Sequence, residues 1–121
     1  GPAAVNAATN SVYEEMRTLP ETRALIIAAM EETLSVGKAS GAPIIDGTLE
    51  RAINAMDNFP AQGRASLAKD FSEGHMVELE GITGILVRLG RETGTPTPVN
   101  NALYAILKPW ANRIQASFQS L

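Results

Sequence analysis

The sequence has no cysteine, which excludes disulfides, thiol catalysis and cysteine-based metal sites. One histidine, His75, is too few for a histidine-cluster metal centre. A clustered basic excess is also missing. Lys and Arg total 10 against 13 Asp and Glu, and the net charge of −3 argues against a nucleic-acid or anionic-membrane surface. Aromatic residues are only 5%, and no run alternates with the two-residue period of a strand. The longest unbroken apolar stretch, Ala24 to Met30, is far too short to cross a bilayer.

What remains is 121 residues, one domain's worth, with 45% apolar and 19% charged residues. Such a chain can bury an independent core. A cytoplasmic location fits this composition. Gly1-Pro2 reads as a scar of tag removal, and Ala3 to Ala8 as the middle of a helix entered from upstream. The expectation is therefore a fragment whose natural chain was cut at or before Ala3.

Apolar spacing predicts an all-α fold of about six helices. The first spans about Ala3 to Arg17. The second runs from Pro20, a good first helical residue, to about Ser40, with Gly41 as a left-handed cap. Its inward stripe is Leu25, Ile26, Ala29, Met30, Thr33 and Leu34, leaving Glu31, Glu32 and Lys38 to solvent. A third helix is expected from Thr48 to Asn58 with Leu49, Ile53 and Met56 inward, and a fourth from Ala61 to Glu73. The fifth, from Val77 to Thr93, would bury Ile82, Ile85, Leu86 and Leu89, and Gly94 would end it. Thr97 caps the last helix, Pro98 opens it and Pro109 is expected to kink or divide it. Met16, Met30, Met56 and Met76 read as core filler, and Gly81 and Gly84 as close-packing sites.

One segment carries more than periodicity. Ser66 and Asp70, Gly74 and Glu78, Gly84, and then Pro96, Pro98 and Asn100 follow in order across some 45 residues. Asn6 and Asn10 stand one helical turn apart near the start. This ordered set closely resembles the C-terminal domain of the ketopantoate reductases, NADPH-dependent 2-dehydropantoate 2-reductases. The resemblance implies the compact helical bundle of a 6-phosphogluconate-dehydrogenase-like reductase over residues 3–121, with the N-terminal Rossmann dinucleotide-binding domain absent. It further implies that Ser66, Asn6 and Asn10 hydrogen-bond the carboxylate and hydroxyl groups of a 2-oxo acid substrate. Glu78 would sit at the reacting centre and hold the catalytic lysine, whose place in this sequence is Pro2. NADPH would be held mainly by the missing domain.

These roles suit the chemistry. Reduction of a 2-oxo acid needs a hydride donor, which no side chain here can be, and a proton donor for the developing alkoxide. A carboxylate can orient a lysine ammonium, while hydroxyls and amides fix an anionic substrate with neutral donors. Asp70, Asn100 and Thr97 read as structural. In two places the chain departs from the family pattern. It is shorter by about two helical turns between Asn10 and Tyr13-Glu14-Glu15, and Gly63 stands where a polar residue is frequent. These departures leave room for a reductase of another 2-oxo acid. A helical domain detached from its cofactor domain, its apolar inner wall facing water, would alternatively serve as a helical association module, with a homodimer as its simplest form.

Overall fold

The computed structural model describes residues 2–63 and 83–119, and side-chain surroundings for 4–63 and 83–113. Among the described residues there are six helices and no strand: α1 (Pro2–Thr9), α2 (Tyr13–Thr18), α3 (Pro20–Ala39), α4 (Thr48–Asp57), α5 (Ile85–Thr93) and α6 (Pro98–Gln119). The fold is all-α, as the apolar spacing predicts. None of these helices is long and apolar enough to cross a membrane. Helix α3 is the central element, packing against all five others, and α1 lies along α6.

The single first helix expected from Ala3 to Arg17 is in fact two. Thr9, Asn10 and Ser11 have short polar side chains that compete with the backbone ladder. Thr9 Oγ donates to the Val5 carbonyl and also meets the Ser11 hydroxyl, while Asn10 turns into the left-handed region at φ 50°. Asparagine tolerates that region better than other non-glycine residues. Val12 is extended, and α2 then starts afresh. Its leading amides are satisfied by the adjoining loop: Tyr13 N–H donates to the Gly63 carbonyl and Glu14 N–H to that of Ala61, each at 3.0 Å.

The core joins α1, α2, α3, α4 and α6 through Val5, Met16, Ile26, Ala29, Met30, Met56, Leu103 and Leu107, with Leu49 and Ile53 packed at its edge. Met16, Met30 and Met56 are core methionines as expected; Met76 lies outside the described residues. In α3 the stripe differs at one position. Thr33 is exposed and bonds back to the Ala29 carbonyl, while Val36, one turn further by the four-residue step from Glu32, is buried. Gly41 at φ 86° closes α3: its N–H reaches the Lys38 carbonyl and the Ala42 N–H reaches Gly37, the paired bonds of a Schellman turn.

Helix α4 is tied to α2 and α3 by two arginines. Arg17 donates to the Phe59 carbonyl at 2.7 Å and the Met56 carbonyl at 3.3 Å, satisfying acceptors at the end of α4, and pairs with Glu14. Arg23 forks onto Asp57 with 2.6 and 3.0 Å contacts. The hydrogen bond from Arg23 holds the Asp57 carboxyl below its usual range, reinforced by the charges of Arg23 and Arg17. A lowered carboxyl pKa stabilises the fold above the unfolded value and loses that contribution as pH falls through the folded value. The melting-temperature gap between wild type and Asp57→Asn should accordingly be full at about pH 6, begin to shrink at about pH 4 and close by about pH 2. Because the pair is exposed, added salt should shrink it too. A gap constant across that range would refute the assignment.

Residues 61–63 form a turn, and the remainder of the helix expected from Ala61 to Glu73 lies outside the described residues. The described part of the fifth helix, α5, turns a different face inward. Val87 and Gly90 are buried, while of the expected stripe Leu86 and Leu89 are half-buried, Ile85 is 42% exposed and Ile82 lies outside the described residues. The reason is a close approach. A methyl group on Gly90 would lie 2.9 Å from Thr97 Cγ2 and 3.0 Å from the Thr95 carbonyl oxygen, so only glycine lets α5 meet the loop that leads into α6. Gly94 at φ 70° ends α5 as predicted. Pro109, expected to kink or divide the last helix, sits inside α6, which continues through it as one element.

Candidate functional site

Asn6 is fully buried on α1. Its side-chain amide donates to the Ser11 carbonyl and lies 3.6 Å from Met16 Sδ. Its backbone carbonyl accepts the Ser11 N–H at 3.4 Å, so Asn6 bonds Ser11 once through its side chain and once through its main chain, stapling α1 to the turn that follows. Asn10 occupies a different setting. It lies beyond the end of α1, exposed, at the left-handed position of the turn. The expected pair on one helical face is therefore a buried residue inside the helix and an exposed residue in the turn that ends it. Ser66 and Glu78, the other expected substrate and catalytic residues, lie outside the described residues, as do Asp70 and Gly74.

The Pro96-Thr97-Pro98-Val99-Asn100 segment has the structural role expected of it, by an unexpected means. Thr97 does not cap the helix through its hydroxyl, which donates to Asn101 Oδ1 at 3.0 Å. The cap comes from α3. Glu32, assigned to solvent by the periodicity, accepts the Val99 N–H at 2.8 Å, the Asn100 N–H at 2.9 Å and the Asn100 Nδ2–H at 2.7 Å. Pro98 has no N–H, so these are the first amides of α6 that need an acceptor. A carboxylate at a helix N-terminus also meets the positive end of the helix dipole. Asn100, 2% exposed, bonds the Ala29 carbonyl as well and so ties α6 to the core of α3.

Gly84, Val87, Arg88, Arg91 and Glu92 of the α5 region and Tyr104 of α6 line an open cleft of about 380 Å³. The sequence pattern does not single out Arg88, Arg91 or Tyr104; their only local signal is the three-residue spacing of the arginines on one helical face. A second, smaller groove of about 240 Å³ lies between the end of α3 and the 44–50 segment. Among the described residues no three His, Cys, Asp or Glu side chains converge.

The family model described as ketopantoate reductase PanE/ApbA C terminal matches residues 3–111. A curated 2-dehydropantoate 2-reductase of Pyrobaculum aerophilum is 28% identical over 112 residues, covering 87% of this chain and 40% of the relative. One from Vibrio cholerae is 30% identical over 89 residues, covering 74% of this chain and 30% of the relative. The chain thus spans less than half the length of either. Among solved structures, the ketopantoate reductase of Ralstonia eutropha superposes with a TM-score of 0.81 at 27% identity, covering 93% of this chain and 37% of that one. The dimeric ketopantoate reductase of Staphylococcus aureus gives 0.87 at 22%, covering 94% and 40%. A D-mandelate dehydrogenase gives 0.80 at 12% identity, covering 94% and 48%, a likeness of fold alone. With the match running over residues 3–111, from α1 into α6, this chain belongs to the ketopantoate reductase C-terminal domain family.

Proposed function

We propose that residues 3–121 form the substrate-side helical domain of an NADPH-dependent 2-dehydropantoate 2-reductase that converts ketopantoate to pantoate on the route to pantothenate. The observation that carries the reading is the family match over 3–111, within which the Asn6, Asn10, Ser66 and Glu78 motif residues all fall. NADPH, when bound, supplies the hydride. The described residues contain no strand, so they do not build the strand–turn–helix cradle that binds a dinucleotide's pyrophosphate. That cradle belongs to a further domain of a longer parent chain, consistent with relatives more than twice this length.

On this side of the cleft the residues bind and orient. The Ser66 hydroxyl and the Asn10 amide hold the substrate's carboxylate and hydroxyl groups with neutral donors, leaving no extra charge to balance. Asn6 is the third residue of this reading, and its Nδ2, donating to the Ser11 carbonyl, fixes the α1 end against that turn. Glu78 orients the ammonium of a lysine that delivers the proton to the developing alkoxide. Since Pro2 stands at that lysine's place, the chain as given should not oxidise NADPH.

The test is ketopantoate-dependent NADPH oxidation by the intact parent, comparing wild type with Glu78→Gln and Ser66→Ala. Loss of the orienting carboxylate should reduce kcat by about a hundredfold or more, and Ser66→Ala should mainly raise KM, by roughly tenfold. Full activity in both variants would remove the two residues from the site. Turnover with a different 2-oxo acid, and none with ketopantoate, would retain the mechanism and discard the substrate. A second reading, a helical association module or homodimer, draws on Ile106 and Trp110, exposed by 59% and 44% along α6. A monomer at high concentration in sedimentation would eliminate it.

A further inference from the structure

We propose that the cleft between α5 and α6 is a binding site for a compact, multiply charged oxyanion, held by Arg88 and Arg91. The inference does not depend on the reductase reading, and among the described residues that line this cleft neither Asn6 nor Asn10 appears.

Three features combine. The first is shape: the buried Gly84 and Val87 and Tyr104 of α6 line the cleft, and about 380 Å³ is enough for a small ligand. It is too little to engulf a dinucleotide. The second is charge. Arg88 and Arg91 are three residues apart on α5, so both guanidinium groups serve one face. Each offers five donors in a planar fork matched to carboxylate or phosphate oxygens.

The third feature is availability. Arg17 and Arg23 are committed to ion pairs with Glu14 and Asp57. Glu92 follows Arg88 by four residues, the spacing at which an ion pair commonly forms, yet the structure shows no bridge between them. Among the described residues neither Arg88 nor Arg91 has an ion pair, and both line the cleft in a chain whose net charge is −3. Glu92 lines the same cleft and opposes an anion, which makes it a reporter of opposite sign.

Inorganic pyrophosphate is the probe, titrated calorimetrically into the chain at low salt. Saturable one-to-one binding is expected. Arg88→Gln with Arg91→Gln should weaken it about tenfold or more, the loss expected for charge-assisted hydrogen bonds. Glu92→Gln should tighten it by roughly two- to threefold, because a like charge leaves the cleft. Arg51→Gln, an exposed arginine on α4, is the control and should leave affinity unchanged. All substituted side chains are exposed, and circular dichroism checks that helix content is kept. No saturable binding, equal weakening by Arg51→Gln, or weakening by Glu92→Gln would each overturn the proposal.

Discussion

Glu32→Ala is expected to lower the melting temperature by roughly 8 °C, from a stability loss of about 2 kcal/mol. A local serine or threonine cap contributes about 1 kcal/mol by satisfying one amide. Glu32 satisfies the Val99 and Asn100 backbone amides and the Asn100 side chain together, and Asn100 is buried, so its amide could not turn to water instead. The carboxylate reaches from α3 to α6, so its removal loosens the packing of two helices as well as one helix end. Glu32→Gln keeps a carbonyl acceptor but loses the charge and should fall between the two. Glu31→Ala, on the exposed face, should stay within about 0.5 kcal/mol of wild type. Thermal unfolding followed by circular dichroism measures all three; coincident melts of Glu32→Ala and wild type would show that the cap does not hold α6.

Asn6→Ala has the second large expected effect, about 2–3 kcal/mol of destabilisation. The substitution opens a small cavity beside Met16 and leaves the Ser11 carbonyl without its side-chain donor. Asn6→Asp should be at least as damaging, since an ionised carboxylate cannot donate and its charge would be buried. Asn10 provides the contrast. Asn10→Gly should be close to neutral for stability, because glycine adopts φ 50° without cost, while Asn10→Ala should cost about 1 kcal/mol. The two residues thereby separate folding from chemistry in the intact parent. Activity lost in Asn10→Gly at unchanged stability would mark a direct contact with substrate. For Asn6, lost activity must exceed what the unfolded fraction explains. An Asn6→Ala protein as stable as wild type would refute the staple.

Helix content, most boundaries and the family were legible in the sequence because each rests on local information. Apolar residues at three- and four-residue spacing mark α3 and α4 whatever surrounds them. Gly41 and Gly94 stop helices because left-handed backbone favours glycine, and Pro98 opens α6 because it lacks the amide a first turn leaves idle. The ordered motif from Ser66 to Asn100 is likewise a property of the string, and the family match covers it. Even the break after Thr9 had a local signal, the run of three short polar residues, which helical spacing on either side outweighed.

Only tertiary structure decided the rest. Glu32 belongs to the exposed face of α3 by periodicity, and nothing within a few residues of it announces a partner 67 and 68 positions away. The inward face of α5 turned on Gly90, where the absence of a side chain admits the 95–97 loop more closely than any larger residue would. Asn6 and Asn10 look equivalent by spacing, but one is inside a helix against Met16 and the other in the turn that ends it. In each case the deciding quantity is which surfaces meet across long separations in the chain, and hydrophobic periodicity carries only the direction a residue faces, not what it will face.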